Sequence, residues 1–177
     1  MVFSSVMDDL CNRLARDLDG TFPDLVVAVR DDLYAGLRPL HGPEAEDLAQ
    51  ETLIRAYRAL ASYDAERIRT LSLRGWMWTI ALNLGRNRHR DRSRRPIPVE
   101  LEDRHGVDDP EPVDRAAWET RLSRLPAAQR RAVVLRHVVD LSYAEIAEAT
   151  GRPEGTVKAD VSRGLTRLRS IMQEESQ

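Results

Sequence analysis

The sequence is poor in cysteine and in aromatic residues, and it has no long apolar run. Its 177 residues include one cysteine, Cys11, and aromatic side chains make up only 5% of the chain. One cysteine cannot form an intrachain disulfide, and its spacing from the histidines matches no zinc site. No segment reaches the roughly 18 to 20 consecutive apolar residues of a membrane span. The low aromatic content disfavours a β-sandwich, so we expect a helical, cytoplasmic protein without a metal.

The sequence also lacks the usual motifs of enzymes. It has no glycine-rich loop that could cradle a phosphate group, and its histidines lack the companion residues of a catalytic triad. The carboxylates fall on charged helix faces or in one acidic segment. We therefore expect no catalytic residues and no cofactor. Cys11 is more typical of a small packing residue than of a redox sensor.

The net charge of -2 conceals blocks of opposite sign. Residues 74–95 carry seven basic side chains and one acidic side chain, whereas residues 96–112 carry one basic and six acidic side chains. Lys158 is the single lysine among the 27 basic residues, and the others are arginines. Because the forked donors of arginine suit phosphate, the basic block indicates a polyanion-binding surface. The alternative is a solvated helix face.

Apolar residues recur at helical spacing through the first half of the chain. The clearest stripe spans residues 45–60 and follows Pro43, which suits the first turn of a helix. Similar stripes predict helices over residues 25–37 and 73–84, and residues 6–18 indicate a fourth. Nothing shows the alternation of a strand bounded by turns. The sequence therefore predicts an all-α fold.

A linker separates two small helical domains in this interpretation. Residues 96–112 contain four prolines and six acids and show no apolar periodicity. Such a composition predicts an extended, self-repelling and flexible acidic linker. The predicted domains are residues 1–95 and residues 113–177.

The second half has the spacing of a helix-turn-helix. A helix over residues 127–139 comes first, and Ser142 with Glu145 then forms a capping box that begins a short helix ending at Gly151. A tight turn and a second apolar stripe over residues 157–168 follow. In a helix-turn-helix this last helix enters the major groove of DNA. An ordinary helical hairpin with a charged outer face is the alternative.

Both halves, in this order, resemble the extracytoplasmic-function (ECF) sigma factors, the compact members of the sigma-70 family of bacterial RNA polymerase. The segments PEAEDLAQETLIRAYRAL and RGWMWTIALNLGRNRHRDRSRR resemble the second conserved region of the family. The segment LPAAQRRAVVLRHVVDLSYAEIAEATGRPEGTVKADVSRGLTRLR resembles the fourth region. The resemblance implies a factor that directs promoter recognition, promoter opening and transcription initiation. Its implied partners are the largest and second-largest subunits of the core polymerase, promoter DNA and an anti-sigma factor.

In the family, a helix like that of residues 45–60 docks on a coiled coil of the largest polymerase subunit. Polar residues three and four apart form one patch on this helix, opposite its apolar stripe. The resemblance therefore predicts core-polymerase contacts at Asp47, Gln50, Glu51, Arg55 and Arg58. The alternative is a solvated face on which Glu51 and Arg55 pair within the helix.

The next segment resembles the part of the family that opens the minus-ten element and holds its non-template strand. Opening needs a site that traps unstacked bases, and aromatic side chains beside arginines provide one. Trp76 lies next to the apolar stripe and is interpreted as a core anchor. The predicted minus-ten contacts are Tyr63, Asp64, Arg67, Arg74, Trp78, Asn83, Arg86 and Arg90.

The last helix corresponds to the one that the family places on the minus-thirty-five element. Its predicted contacts are Thr156, Lys158, Asp160, Arg163 and Arg167. Asp160 departs from the common family pattern, in which a polar or basic residue is more usual. An acid here repels phosphate unless it accepts a hydrogen bond from a cytosine amino group or turns toward a neighbouring arginine.

Two other functions are alternatives to the sigma factor. A stand-alone regulator of the LuxR type has a similar GTVK segment, but it leaves the first half unexplained. A sigma mimic that titrates an anti-sigma factor has no need of an intact basic recognition helix. The first alternative predicts specific DNA binding without polymerase, whereas a sigma factor needs the core enzyme.

Overall fold

The computed structural model describes residues 2–94 and 115–176, and both parts are built from helices. The predicted acidic linker of residues 96–112 lies outside the described residues. The first part contains α1 (Val2–Leu14), α2 (Leu18–His41), a short 3-10 turn (Gly42–Glu44), α3 (Ala45–Ser62), α4 (Ala65–Arg69) and α5 (Leu73–Arg94). The second contains α6 (Arg115–Ser123), α7 (Ala127–His137), α8 (Tyr143–Thr150) and α9 (Glu154–Glu175). The described residues include no strand, and the all-α prediction is confirmed.

The helices differ from the sequence prediction at one helix end and in two short helices that were not predicted. The helix expected over residues 6–18 ends at Leu14, because Asp17 caps the next helix by accepting a hydrogen bond from the Gly20 backbone at 2.9 Å. Two short helices, α4 and α6, were not predicted, since five and nine residues are too few for a clear period.

The helix-turn-helix forms as its capping residues predict. The Glu145 backbone N–H donates to Ser142 Oγ at 3.2 Å, and the Ser142 backbone N–H donates to Glu145 Oε2 at 2.8 Å. Gly151 ends α8 with φ of 67°, in the left-handed region that favours glycine. The capping box and the glycine thus fix both ends of α8.

Apolar side chains of the two halves share one core. Val139, Leu141 and Ile146 pack in the same buried cluster as Met77 and Trp78 of α5. Along this junction α8 packs against α5 and α7 packs against α2. The second half keeps a smaller cluster of its own, formed by Leu122, Leu125, Val133, Val134, Leu168 and Ile171. We call the contact of α6, α7, α8 and the α7–α8 segment with α2 and α5 the junction.

Polar contacts reinforce the junction. Arg74 of α5 donates a hydrogen bond to the backbone carbonyl of Val139 and lies 3.5 Å from the carboxylate of Asp32. At the other end, Arg38 of α2 and Glu119 of α6 form an ion pair at 3.5 Å. None of the helices described here is both long enough and apolar enough to cross a membrane.

Gly36 lies at the tightest point of the junction, where one added methyl group should destabilise the fold. A Cβ at Gly36 would lie 2.5 Å from Trp78 Cη2 and 2.6 Å from Val139 Cγ2. We expect Gly36→Ala to lower the free energy of unfolding by about 1–3 kcal/mol, the usual cost of overpacking. Urea denaturation measures this change.

The matched control is Gly155→Ala in the first turn of α9, where an added Cβ has no heavy atom within 4 Å. This change should be neutral or stabilising by up to about 1 kcal/mol, because alanine favours helix over glycine. Equal denaturation midpoints for the two variants would contradict the packing described at the junction.

Candidate functional site

One face of α3 carries the predicted polymerase contacts. Asp47, Gln50, Arg55 and Arg58 are exposed and Glu51 is half-buried, while the opposite face packs in the core. Glu51 accepts a hydrogen bond from Arg55 Nε at 2.7 Å, and this bond lowers the pKa of the Glu51 carboxyl. The face is therefore a mostly polar surface that also exposes the apolar side chain of Ile54, and it contains the intrahelical pair that the sequence left as an alternative.

An open groove of about 240 Å³ lies between α3 and α5. The rings of Tyr63 and Trp76 stand in it with centroids 6.0 Å apart, and the guanidinium of Arg67 lies 3.7 Å from the centroid of Tyr63. Asp64 caps α4 by accepting from the Arg67 backbone at 2.8 Å, which fixes Arg67 beside the ring. The groove is lined by Arg55, Ala59, Tyr63, Trp76, Ile80 and Asn83.

This groove combines aromatic faces with arginines, as a site for unstacked bases requires. Trp76 is partly buried: it packs against the core, as its position beside the apolar stripe predicts, and it also lines the groove. Asn83, Arg86 and Arg90 of the predicted set are exposed along α5. Asn83 also accepts a hydrogen bond from Arg86.

Two predicted minus-ten contacts do not lie on this surface. Trp78 is 3% exposed and packs at the junction, and the side chain of Arg74 is 15% exposed and bonds to the Val139 carbonyl. Each position in a helix is rotated by about 100° from the one before it. Trp78 lies two positions after Trp76, a rotation of about 200°, so it points away from the face of Trp76. The prediction for Arg74 and Trp78 is corrected accordingly: in this conformation both side chains hold the second half.

The outer face of α9 carries most of the predicted minus-thirty-five contacts. Lys158, Arg163 and Arg167 are exposed and Thr156 is half-buried. Lys158 pairs with Glu154 at 2.7 Å, and this hydrogen bond raises the pKa of the lysine. Asp160 differs from the others because it is buried and accepts hydrogen bonds from Arg152 and Arg163. Of the two expectations for Asp160, the structure shows the turn toward a neighbouring arginine.

Sequence reasoning missed a group of cations where the halves meet. Arg131 of α7 is half-buried, and its pKa is lowered by that burial and then by the nearby Arg86, Arg152 and Arg130. Arg86 belongs to the first half and the other three belong to the second. Because these positions are distant along the chain, no local pattern could have brought them together.

Comparison with known proteins decides the family. Residues 25–95 match the family model of Sigma-70 region 2, and residues 115–168 match that of Sigma-70, region 4. The chain belongs to the sigma-70 family. The first match covers α3, the groove and α5, and the second covers the helix-turn-helix.

Individual relatives specify the branch of the family. The chain is 30% identical over 173 residues to the ECF RNA polymerase sigma factor SigW of Bacillus subtilis, covering 86% of this chain and 89% of that protein. It is 34% identical to the ECF sigma factor SigE of Mycolicibacterium smegmatis, covering 88% of this chain and 63% of SigE. The protein is thus an RNA polymerase sigma factor of the ECF type.

A solved structure shares the architecture. The sigma factor RpoE of Bartonella quintana, solved with the anti-sigma factor NepR, aligns with a TM-score of 0.72 and 28% identity. The alignment covers 86% of this chain and 96% of RpoE. The sigma-factor fold is therefore shown for both halves.

Cys11 lies apart from these surfaces. It is 2% exposed, and its thiol donates a weak hydrogen bond to the Leu71 carbonyl at 3.6 Å. Burial, with a smaller effect of Asp8, raises the pKa of the thiol to about 11. Within the described part of the chain, no three His, Cys, Asp or Glu side chains group as metal ligands.

The buried thiol predicts slow chemistry at Cys11. Only the thiolate reacts readily, and a pKa of about 11 leaves very little thiolate at pH 8. We expect the native protein to react with iodoacetamide at least tenfold more slowly than the urea-unfolded protein. Mass spectrometry measures the labelling. Equal rates in the two states would show that Cys11 is accessible.

Proposed function

We propose that this sigma factor binds core RNA polymerase through α3 and promoter DNA through the groove and α9. The observation that carries the proposal is the presence of three exposed surfaces, one for each contact, within the two matched regions; the first two adjoin at Arg55. Polymerisation chemistry then belongs to the core enzyme, and the sigma factor supplies specificity without an active site.

The groove is the proposed site for the opened minus-ten element. Its two rings offer stacking surfaces, and stacking of a base on an aromatic side chain contributes about 1–3 kcal/mol. Arg67 lies over one ring, while Arg86 and Arg90 are exposed farther along α5 and suit phosphates of the strand. This arrangement supports trapping of unpaired bases, which favours promoter opening.

The exposed face of α9 is the proposed site for the minus-thirty-five element. As the second helix of the helix-turn-helix, α9 is the helix that enters a major groove. Arg163 and Lys158 suit base edges and phosphates there. A stand-alone regulator uses such a helix too, but it has no use for the polar face of α3 or the groove.

Regulation by an anti-sigma factor is part of the same proposal. It is supported by the aligned sigma factor RpoE, which was solved bound to the anti-sigma factor NepR.

Transcription in vitro tests the function directly. Added to bacterial core polymerase on genomic fragments, the protein should produce new RNA 5′ ends that share two upstream elements at fixed spacing. We expect Asp47→Arg to weaken core binding about tenfold or more, because it reverses a charge on the docking face. Fluorescence anisotropy with labelled sigma factor measures the affinity.

The control is Asp31→Arg, the same charge reversal on α2 at a side chain that is 84% exposed. It should leave core affinity nearly unchanged. An equal loss for both variants would indicate a general charge effect and would argue against α3 as the docking face.

The junction constrains how both promoter elements are bound. The names of the minus-ten and minus-thirty-five elements give their positions in base pairs. The two elements therefore lie about 25 base pairs apart, or roughly 85 Å along B-form DNA. Packed helices such as α5 and α8 have axes only about 8–10 Å apart. We therefore propose that α8 leaves α5 before both elements are engaged.

A disulfide across the junction tests this separation. A Cβ placed at Gly75 lies 3.4 Å from the Cβ of Glu145, close to the roughly 3.5–4.5 Å of disulfide-linked residues. The oxidised double variant Gly75→Cys, Glu145→Cys should lose nearly all promoter-specific transcription, and a reductant should restore it. The single variant Glu145→Cys controls for loss of the Glu145 cap, and Gly75→Cys controls for the added side chain. Full activity of the oxidised form would show that the closed junction does not block initiation.

A further inference from the structure

Asp160 is the one charged side chain that is fully buried among the described residues. It is 4% exposed, and it lies on α9 between Val157 and Gly164, which also face the interior. A carboxylate removed from water is costly unless charged partners compensate it. Its presence in the recognition helix therefore calls for a specific pairing.

Two arginines from different segments provide that pairing. Asp160 Oδ1 accepts from Nη2 of Arg163, one turn farther along α9, at 2.8 Å. Asp160 Oδ2 accepts from Nη1 of Arg152, which lies in the turn between α8 and α9. Both carboxylate oxygens are thus occupied, and the side chain is too buried to meet a base edge. Asp160 instead fixes two guanidinium groups side by side.

The arginines, unlike the aspartate, remain accessible. The Arg163 side chain is 59% exposed and the Arg152 side chain is 35% exposed. Each guanidinium has five N–H donors, so each keeps donors for another partner after bonding to Asp160. The three side chains together carry one net positive charge, which still attracts DNA.

We propose that Asp160 is a positioning residue for minus-thirty-five recognition, and that the Arg152 it anchors is an additional DNA contact. Anchoring reduces the rotamer freedom that an arginine loses on binding, so a held guanidinium discriminates between bases better than a free one. Arg152 extends the contact surface from α9 onto the turn. This inference rests on the proposed function, since it assigns residues within the same DNA-binding surface.

The test compares two variants that each remove one negative charge from this region. Asp160→Asn breaks the pairing with nearly the same shape, whereas Glu154→Gln removes an exposed acid that pairs with Lys158 on the same helix. Holoenzyme is assembled with full-length sigma factor, and transcription is measured on promoters with a randomised minus-thirty-five element. A template opened in advance and lacking that element serves as the reference.

We expect Asp160→Asn to reduce preference at one or two adjacent minus-thirty-five positions by about five- to hundredfold, the range for one well-placed arginine contact. Arg152→Ala should reduce the base preference at the same positions. The double variant with Asp160→Asn should show little further loss of preference. Glu154→Gln should leave the preference profile as it is. All variants should remain active on the reference template.

Other outcomes distinguish failure of the positioning role of Asp160 from failure of the proposed function. If Asp160→Asn and Glu154→Gln both raise binding uniformly with an unchanged profile, Asp160 only neutralises charge and the positioning role is overturned. Should Asp160→Asn fail to fold, the surface variant Arg152→Ala decides: an unchanged profile overturns the assignment of Arg152. If the unmodified protein yields no starts with two elements, the proposed function fails and this inference fails with it.

Discussion

The burial of α8 and the α7–α8 segment against α2 and α5 is the contact on which the rest of the structure depends. The helix-turn-helix part has about sixty residues, a size at which a single core is only marginally stable. Its own cluster is small, and Val139, Leu141 and Ile146 complete their burial against the first half. The glycine at position 36 allows this approach, because Trp78 and Val139 occupy the space of a side chain there.

Much of the fold follows from local sequence patterns. The Ser142–Glu145 capping box and Gly151 define α8 through backbone hydrogen bonds that need no tertiary partner. The apolar stripe of α3 likewise identifies both its buried face and the polar face opposite. Such features can be predicted from the sequence because the residues that determine them lie within four positions of one another.

The junction could not be predicted, because its contacts join residues that are far apart in the sequence. Periodicity shows that a side chain is buried without showing what covers it, so Trp78, off the main stripe of α5, was interpreted as a DNA contact. Trp76 packs against the core, as its position beside the stripe predicts, but it also lines the groove, which periodicity does not show. Asp160 was recognised as unusual, but its bond to Arg152 spans a turn, and only the fold shows that both arginines meet it.

Arg74 contributes to the free energy that keeps the two halves packed together, an arrangement we call the closed form. In the closed form its guanidinium bonds to the Val139 carbonyl and lies near Asp32. Under the proposed function, α8 leaves α5 before both promoter elements are engaged, so the closed form and the form bound to both elements exclude one another. The coupling between them is reciprocal, so whatever weakens the closed form strengthens DNA binding by the same free energy. The free energy of closure therefore sets a threshold of promoter strength, below which the protein stays closed.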